Sequence, residues 1–179
     1  MILASKSPRR AKILEALGWS FSVAPTEAEE VSIPRAPRRT VLVNAARKLK
    51  ACRDKHPDAE ILAADTIVWF NGKIYGKPRD LEEAREFLRE LSGNTHSVFT
   101  GLAHCRPGEK MHAETVESRV KFKRLSEADI AGYVDRVRPL DRAGAYDIDE
   151  GGELIIESYD GGYENIMGLP TGYLQSIRR

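Results

Sequence analysis

The sequence predicts an α/β domain built on a mixed sheet. Helix-like stretches with an apolar face alternate with apolar runs of strand length. Two turn signals, Asn71-Gly72 and Arg106-Pro107-Gly108-Glu109, join strand-like runs directly, so some neighbours pair antiparallel. The most apolar run, Ile61 to Phe70, reads as a central strand buried on both faces.

Composition narrows the class. A chain of 179 residues is long enough for one well-packed domain, 1–179, and short for two. With 41% hydrophobic and 31% charged residues it is a globular rather than a disordered sequence. A net charge of +1 argues against a non-specific nucleic-acid binder, so local basic clusters must carry any anion binding. Cys52 and Cys105 are too few for a disulfide framework or a zinc site, and a reducing cytoplasm fits them. The N-terminus lacks the basic and apolar regions of a signal peptide, and no apolar run approaches membrane-spanning length. Neither a nucleic acid nor a membrane is expected as a partner.

The first strand is Ile2-Leu3-Ala4, broken by Ser5-Lys6-Ser7. Pro8 suits the first position of a helix with Ser7 as N-cap, Ala11, Ile13, Leu14 and Leu17 on its apolar face, and Gly18 as stop. Arg9 and Arg10 put two cations where the helix dipole favours anions. Either both are solvated, or the amides, hydroxyls and guanidinium groups together form a phosphate site. Phe21 to Ala24 alternates as a strand and enters an acidic loop, Glu27 to Glu30, interrupted by Pro34 and Pro37. A helix then opens at Thr40 or a neighbour, with Val41, Leu42, Ala45, Ala46, Leu49 and Cys52 inward. Lys48 lies at the edge of that stripe, either snorkelling to water or reaching into a site.

Within the central strand Asp65 stands out. A carboxylate there must be paired, hydrogen-bonded or metal-bound, since burying it bare costs several kcal/mol. Asn71-Gly72 turns the chain back through Lys73-Ile74-Tyr75, and Gly76-Lys77-Pro78 follows at the strand end. Asp80 caps a third helix, with Glu83 completing an approximate capping box, and Gly93 ends it. His96 to Ala103 and the alternating run Val116, Ser118, Val120, Phe122 are strands; Ser126 and Asp129 open a fourth helix. His96, His104 and His112 lack metal-cluster spacing and read as structural or exposed. The tail is glycine-rich from Ala143 to Gly152, with a strand expected over Glu153 to Glu157. Such glycines mark either a backbone that approaches something closely or a flexible loop.

In order, Leu3-Ala4-Ser5-Lys6-Ser7-Pro8-Arg9-Arg10, the acidic loop ending at Glu30, Asn44-Ala45-Ala46-Arg47-Lys48, Ala64-Asp65-Thr66-Ile67-Val68, Gly76-Lys77-Pro78, His96 to Gly101, Ala143-Gly144-Ala145-Tyr146 and Asn165 to Pro170 resemble the Maf family of nucleotide pyrophosphatases. That family is related in fold to the Ham1/ITPase group, and the likeness covers nearly the whole chain. The resemblance implies an elongated, twisted mixed sheet flanked by helices around a central cleft, a homodimer, and a cytoplasmic house-cleaning hydrolase of phosphoric anhydride bonds. It would cut a nucleoside triphosphate to the monophosphate and pyrophosphate with a divalent cation: magnesium, or manganese or cobalt as alternatives. By position Asp65 is the proton acceptor, Glu30 its acidic partner, Lys48 and Lys77 the two lysines, and Ser5 and Arg10 the phosphate-loop contacts. Arg9, Thr66 and Asp149 fall at positions associated with substrate choice. Glu30 and Asp65 are the candidate metal ligands, because magnesium takes hard oxygen donors. A triphosphate needs the positive charge that Arg9, Arg10, Lys48 and Lys77 bring.

One position departs from the pyrimidine-directed branch, which usually has glutamine where this chain has Asp149. An ionised aspartate only accepts hydrogen bonds, which turns preference toward a base with a donor, such as the cytosine amino group. Alternatively Asp147 or Glu150 shifts the register and Asp149 stands outside the pocket. A regulator of cell division that binds nucleotide without turnover would use the same cleft.

Overall fold

The computed structural model describes residues 1–177. Arg178 and Arg179, which the expected domain includes, lie outside the described residues. The strands are β1 (Ile2–Leu3), β2 (Ser22–Val23), β3 (Ile61–Phe70), β4 (Lys73–Tyr75), β5 (Thr95–Cys105), β6 (His112–Phe122) and β7 (Ile156–Asp160). The helices are α1 (Pro8–Ala16), α2 (Pro37–Arg53), α3 (Leu81–Leu91), α4 (Glu127–Val137), α5 (Gly152–Ile155), α6 (Tyr163–Ile166) and α7 (Gly172–Ile177). No helix among the described residues is long and apolar enough to cross a membrane.

All seven strands form one mixed sheet in the order β2-β1-β3-β5-β6-β7, with β4 also on β3. β2, β1 and β3 run parallel and the remaining pairs antiparallel. The feature that makes the cleft is on one edge of β3. β1 pairs with its start, at Ile61 and Leu62, and β4 with its end, at Val68 to Phe70. Between them that edge has no strand neighbour, and the loops leaving β1 and β4 flank the opening.

Strand parity distributes the core. Ile61 and Ala63 pack with Ala45, Leu49 and Cys52 of α2, whereas Leu62 and Ala64 pack with Leu14 of α1 and Leu169 and Leu174 near the C-terminus. A third cluster fills the other end of the sheet, where Val68, Val98 and Phe122 meet Leu88 of α3 and Tyr133 of α4.

Local signals account for most boundaries. Asn71 and Gly72 both adopt positive φ, the backbone that a tight turn between twisted strands requires. Ser126 and Asp129 make the reciprocal capping box. Asp80 accepts from the Glu83 amide, but the Glu83 carboxylate reaches back to the Arg79 amide instead of the capping residue's own. α2 begins at Pro37, three residues before Thr40, because proline suits the first helical position. Thr40 instead lies inside the first turn, where its hydroxyl oxygen accepts from the Ile33 amide at 3.1 Å. The expected strand over 153–157 starts later, at Ile156. Gly151 adopts φ 72°, and Gly152 to Ile155 close a helical turn before the chain extends.

Candidate active site

The cleft beside the open edge of β3 encloses about 620 Å³. Asp65 and Thr66 stand at its centre and, as strand neighbours, face opposite sides of the sheet. Asp65 meets α2 and Thr66 meets α1.

On the α2 side, Lys48 donates to Asp65 Oδ1 at 2.7 Å and to Glu30 Oε1 at 2.6 Å. Its side chain is 14% exposed, so it reaches into the site rather than snorkelling away. Asn44, one helical turn before Lys48 and on the same face, donates to Asp65 Oδ2 at 3.0 Å. The same carboxamide donates to the Val31 carbonyl at 3.0 Å and accepts from the Val31 amide at 2.8 Å. Asn44 therefore ties the acidic loop to α2 right after Glu30. Burial alone would raise the Glu30 carboxyl, but the Lys48 hydrogen bond and charge, with Lys77 and Arg10 beyond, hold it below its usual range.

This geometry needs α2 close to the sheet. Gly101 is the β5 partner of Asp65. A Cβ on Gly101 would lie 2.4 Å from the Val41 carbonyl group, so the absent side chain sets how near the helix comes.

On the α1 side, the Arg10 guanidinium is buried and donates to the Gly168 carbonyl at 2.7 Å, Ser5 Oγ at 2.9 Å and Thr66 Oγ1 at 3.0 Å. Burial pulls its pKa down to about 10 while Asp65 pushes it back up, and it stays charged at neutral pH. Gly168 presents its carbonyl with φ +102°, and a Cβ there would crowd Thr66 Oγ1 at 3.1 Å. The Ser5 oxygen also accepts from the Ser7 amide at 3.2 Å, which leaves the Ser5 hydroxyl proton to donate. Ser7, the expected N-cap, makes no side-chain cap. The first-turn amides of α1 therefore keep donors for an anion.

Arg9 also lines the cleft and pairs with Asp147 at 3.1 Å. Asp147 pairs with Arg142 at 2.8 Å as well. Burial would raise the Asp147 carboxyl, but Arg142, the Asp149 amide and Arg9 hold it below its ordinary value. Lys77, on the loop after β4, lines the cleft and forms no ion pair within 4.0 Å among the described residues. Asp149 is exposed, accepts from the Tyr163 hydroxyl at 3.0 Å and is not part of the lining. The carboxylates on that wall are Asp147 and Asp141, the latter 4.0 Å from Arg9, so the arrangement matches the shifted register rather than the Asp149 placement.

Eight of the nine expected site residues thus gather around one cleft. Asn44 and Gly101 complete it without having been singled out by role, and Asp147 joins it as the weighed alternative to Asp149; Asn44 offered a signal, as a polar residue within the apolar stripe four positions before Lys48. The histidines serve the scaffold. His96 hydrogen-bonds Tyr146 at 2.9 Å, His104 bridges Tyr173 and Glu60, and His112 stacks on Tyr173.

The family model described as Maf-like protein matches residues 1–177. A dTTP/UTP pyrophosphatase of Akkermansia muciniphila is 45% identical over 175 residues, covering 96% of this chain and 90% of the relative. One of Caldanaerobacter subterraneus subsp. tengcongensis is 42% identical over 176 residues, covering 97% and 85%. Among solved structures, the Staphylococcus aureus Ham1 protein aligns over 98% of this chain and 95% of its own with a TM-score of 0.56. At 13% identity that likeness concerns the fold.

Proposed function

The chain belongs to the Maf-like family, and from that premise we propose that it is a nucleoside triphosphate pyrophosphatase acting on a pyrimidine nucleotide. It cleaves between the α and β phosphorus atoms and releases the monophosphate and pyrophosphate. The observation that carries the reading is the Lys48 ammonium held between Asp65 and Glu30 on one side of the cleft, with Arg10 and Ser5 on the other.

Each residue has a part. Asp65 accepts the proton of the attacking water, oriented by Lys48 on one oxygen and Asn44 on the other. Lys48 has three N–H donors, two of which meet carboxylates, so one remains for a phosphate oxygen. Arg10, locked by three acceptors, contributes a fixed positive charge, and Ser5 a hydroxyl donor. Lys77, without a carboxylate partner among the described residues, would meet the departing pyrophosphate.

A divalent cation belongs to the proposal. Glu30 and Asp65 present oxygen donors that converge on one ammonium, a set suited to a hard cation whose remaining ligands come from phosphates and water. Among the described residues no three His, Cys, Asp or Glu side chains converge, so the substrate would complete the site. Once bound, magnesium, manganese or cobalt would neutralise triphosphate charge and acidify a water. The family resemblance also carries a cytoplasmic location and a homodimer, the second of which light scattering on the purified protein tests.

The decisive experiment quantifies pyrophosphate and phosphate separately from UTP, dTTP, CTP and ATP with magnesium. Pyrophosphate from a pyrimidine nucleotide is expected, reduced about 10²- to 10⁴-fold in Asp65→Asn. EDTA should abolish it and any of the three cations restore it. Nucleotide binding with no release would instead fit a non-hydrolysing regulator.

A further inference from the structure

The rim of the cleft carries an ion pair separate from those at Asp65 and Asp147. β1 and β2 run parallel, so the loops that follow them leave the sheet at the same end. Lys6 lies on the first loop and Glu27 on the second, and Lys6 Nζ donates to Glu27 Oε1 at 2.8 Å. Both residues line the cleft. Beyond Glu27 the acidic loop is fastened to α2. Arg47 donates to the Glu29 carbonyl at 3.1 Å, Lys48 pairs with Glu30, and Asn44 grips Val31. Glu27 precedes that fastened stretch, and among the described residues its carboxylate meets Lys6 alone.

Charge gives this pair a function. Five cations and five carboxylates line the cleft. A triphosphate brings several negative charges, and it enters so balanced a cleft by taking cations from carboxylates or having them neutralised. The inner cations are held by groups that stay in place. Arg10 has three acceptors, Arg9 has the buried Asp147, and Lys48 has the buried Asp65. Lys6, 67% exposed, is held only by a side chain that is 84% exposed. Such a pair is weak, because water screens it and two long side chains must be ordered to form it. A phosphate oxygen offers the lysine a charge-assisted bond in its place, while Glu27 turns to water at little cost. Lys6 also faces Lys77 across the unpaired edge of β3, one on the loop after β1 and the other on the loop after β4. A polyphosphate along that edge would lie between them.

We propose that Lys6 is a further phosphate-binding residue, held at the rim by Glu27 in the free protein and released to the β- and γ-phosphates of the nucleotide. The inference rests on the pyrophosphatase reading and deepens it by adding a cation whose release is coupled to substrate entry. The β- and γ-phosphates carry most of the ligand's charge, and charge is what draws Lys6 from a carboxylate. Glu27 then competes with the substrate instead of assisting it. Removing one partner of the pair must therefore move affinity in the opposite direction from removing the other.

The test measures kcat and KM for UTP at one fixed ionic strength in wild type, Lys6→Met, Glu27→Gln and the double variant. Lys6→Met should raise KM about five- to tenfold, as loss of a charge-assisted bond at a wet rim. Glu27→Gln should lower KM about two- to fourfold, the scale of one exposed ion pair. In both, kcat should move less than about twofold, because the contact is made alike in ground and transition states. In the Lys6→Met background Glu27→Gln should change KM less than about 1.5-fold, since it acts through Lys6. Lys6→Arg keeps the charge and should hold KM within about twofold of wild type. An unmoved KM in Lys6→Met overturns the inference. So does a raised KM in both single variants, the mark of a latch or of Glu27 serving a cation. Equal lowering by Glu27→Gln with and without Lys6 also overturns it, since bulk charge would then suffice. A wild type that releases no pyrophosphate from any nucleotide sinks the pyrophosphatase reading alone. Calorimetric titration of the same proteins with inorganic pyrophosphate then decides the inference. Its Kd should shift with the same opposite signs while that of UMP, which lacks the tail, stays put; no pyrophosphate binding, or equal shifts for UMP, overturns it.

Discussion

Thr66 and Thr100 are register partners across β3 and β5, and their hydroxyl oxygens stand 3.0 Å apart. Thr100 donates to the Asn165 carbonyl at 3.0 Å, so the proton between the two hydroxyls comes from Thr66. Arg10 in turn donates to Thr66. The result is a directed chain from the Arg10 guanidinium, through two hydroxyls, to the backbone of α6. Thr66 has spent its proton inside this chain, so toward Arg10 it is a fixed acceptor.

Thr100→Val should break the chain at its buried link. Thr100 is fully buried, and the change strands the Thr66 proton and removes one of the two donors to the Asn165 carbonyl, the Gly168 amide being the other. The expected loss is about 1–3 kcal/mol in urea unfolding, with a raised KM for the nucleotide as Arg10 loosens. Thr100→Ser keeps the hydroxyl and should restore KM even where it does not restore all the stability.

Gly101→Ala places a methyl group against the Val41 backbone. Overpacking of this kind costs about 1–3 kcal/mol. The larger effect should be catalytic, because pushing α2 outward draws Lys48 and Asn44 off Asp65. A misplacement of about 1 Å is enough for a hundredfold loss of kcat. Gly132→Ala on α4, where a Cβ meets nothing within 4 Å, is the matched control. It should stabilise by about 0.5–1 kcal/mol and leave turnover alone.

Lys48→Met removes the cation shared by two carboxylates. Asp65, only 7% exposed, would keep Asn44 as its partner but lose its counter-charge, whereas the half-exposed Glu30 can turn to water. Breaking a buried pair on one side costs about 3–5 kcal/mol, and Glu30 escaping puts the expected value at the lower end. Adding Asp65→Asn to Lys48→Met should recover most of it. Denaturant titration of the two single variants and the double one would show whether the cycle closes that way.

His96 sets an acid limit on stability. Burial among Phe122 and Tyr146 lowers its pKa from 6.5 to about 3, so the folded protein keeps it neutral where the unfolded chain binds a proton. A depressed folded value means stability is complete above the unfolded pKa and is lost as pH falls toward the folded one. The slope should approach about 1.4 kcal/mol per pH unit below ~6. His96→Gln should flatten that slope between roughly pH 6 and pH 4.5, before carboxylates take over. A slope identical to wild type would refute the assignment.

Much of this protein is written locally. The hairpin at Asn71-Gly72, the capping box at Ser126 and the β3 run each depend on residues within a few positions, where periodicity and turn chemistry act directly. The need of Asp65 for a partner was legible for the same reason, since an apolar strand with one carboxylate poses its question in the sequence. So was the oddity of two arginines at a helix start. Their answers were not. Asp147 answers Arg9 from 138 residues away, and Gly168 answers Arg10 from 158 residues away. No spacing rule spans such distances.

What the sequence by itself determined is therefore the set of elements and the chemical character of the cleft, because propensity, capping and hydrophobic period are short-range effects. Only the tertiary structure decided which groups meet. The interrupted edge of β3 lets Asp65 and Thr66 serve opposite faces of one sheet, Gly101 lets α2 descend far enough for Lys48 to bridge two carboxylates, and the turn after Tyr146 brings Asp147 rather than Asp149 to the wall. These outcomes depend on backbone separations of a few ångströms between elements distant in the chain, which packing fixes and local pattern does not encode.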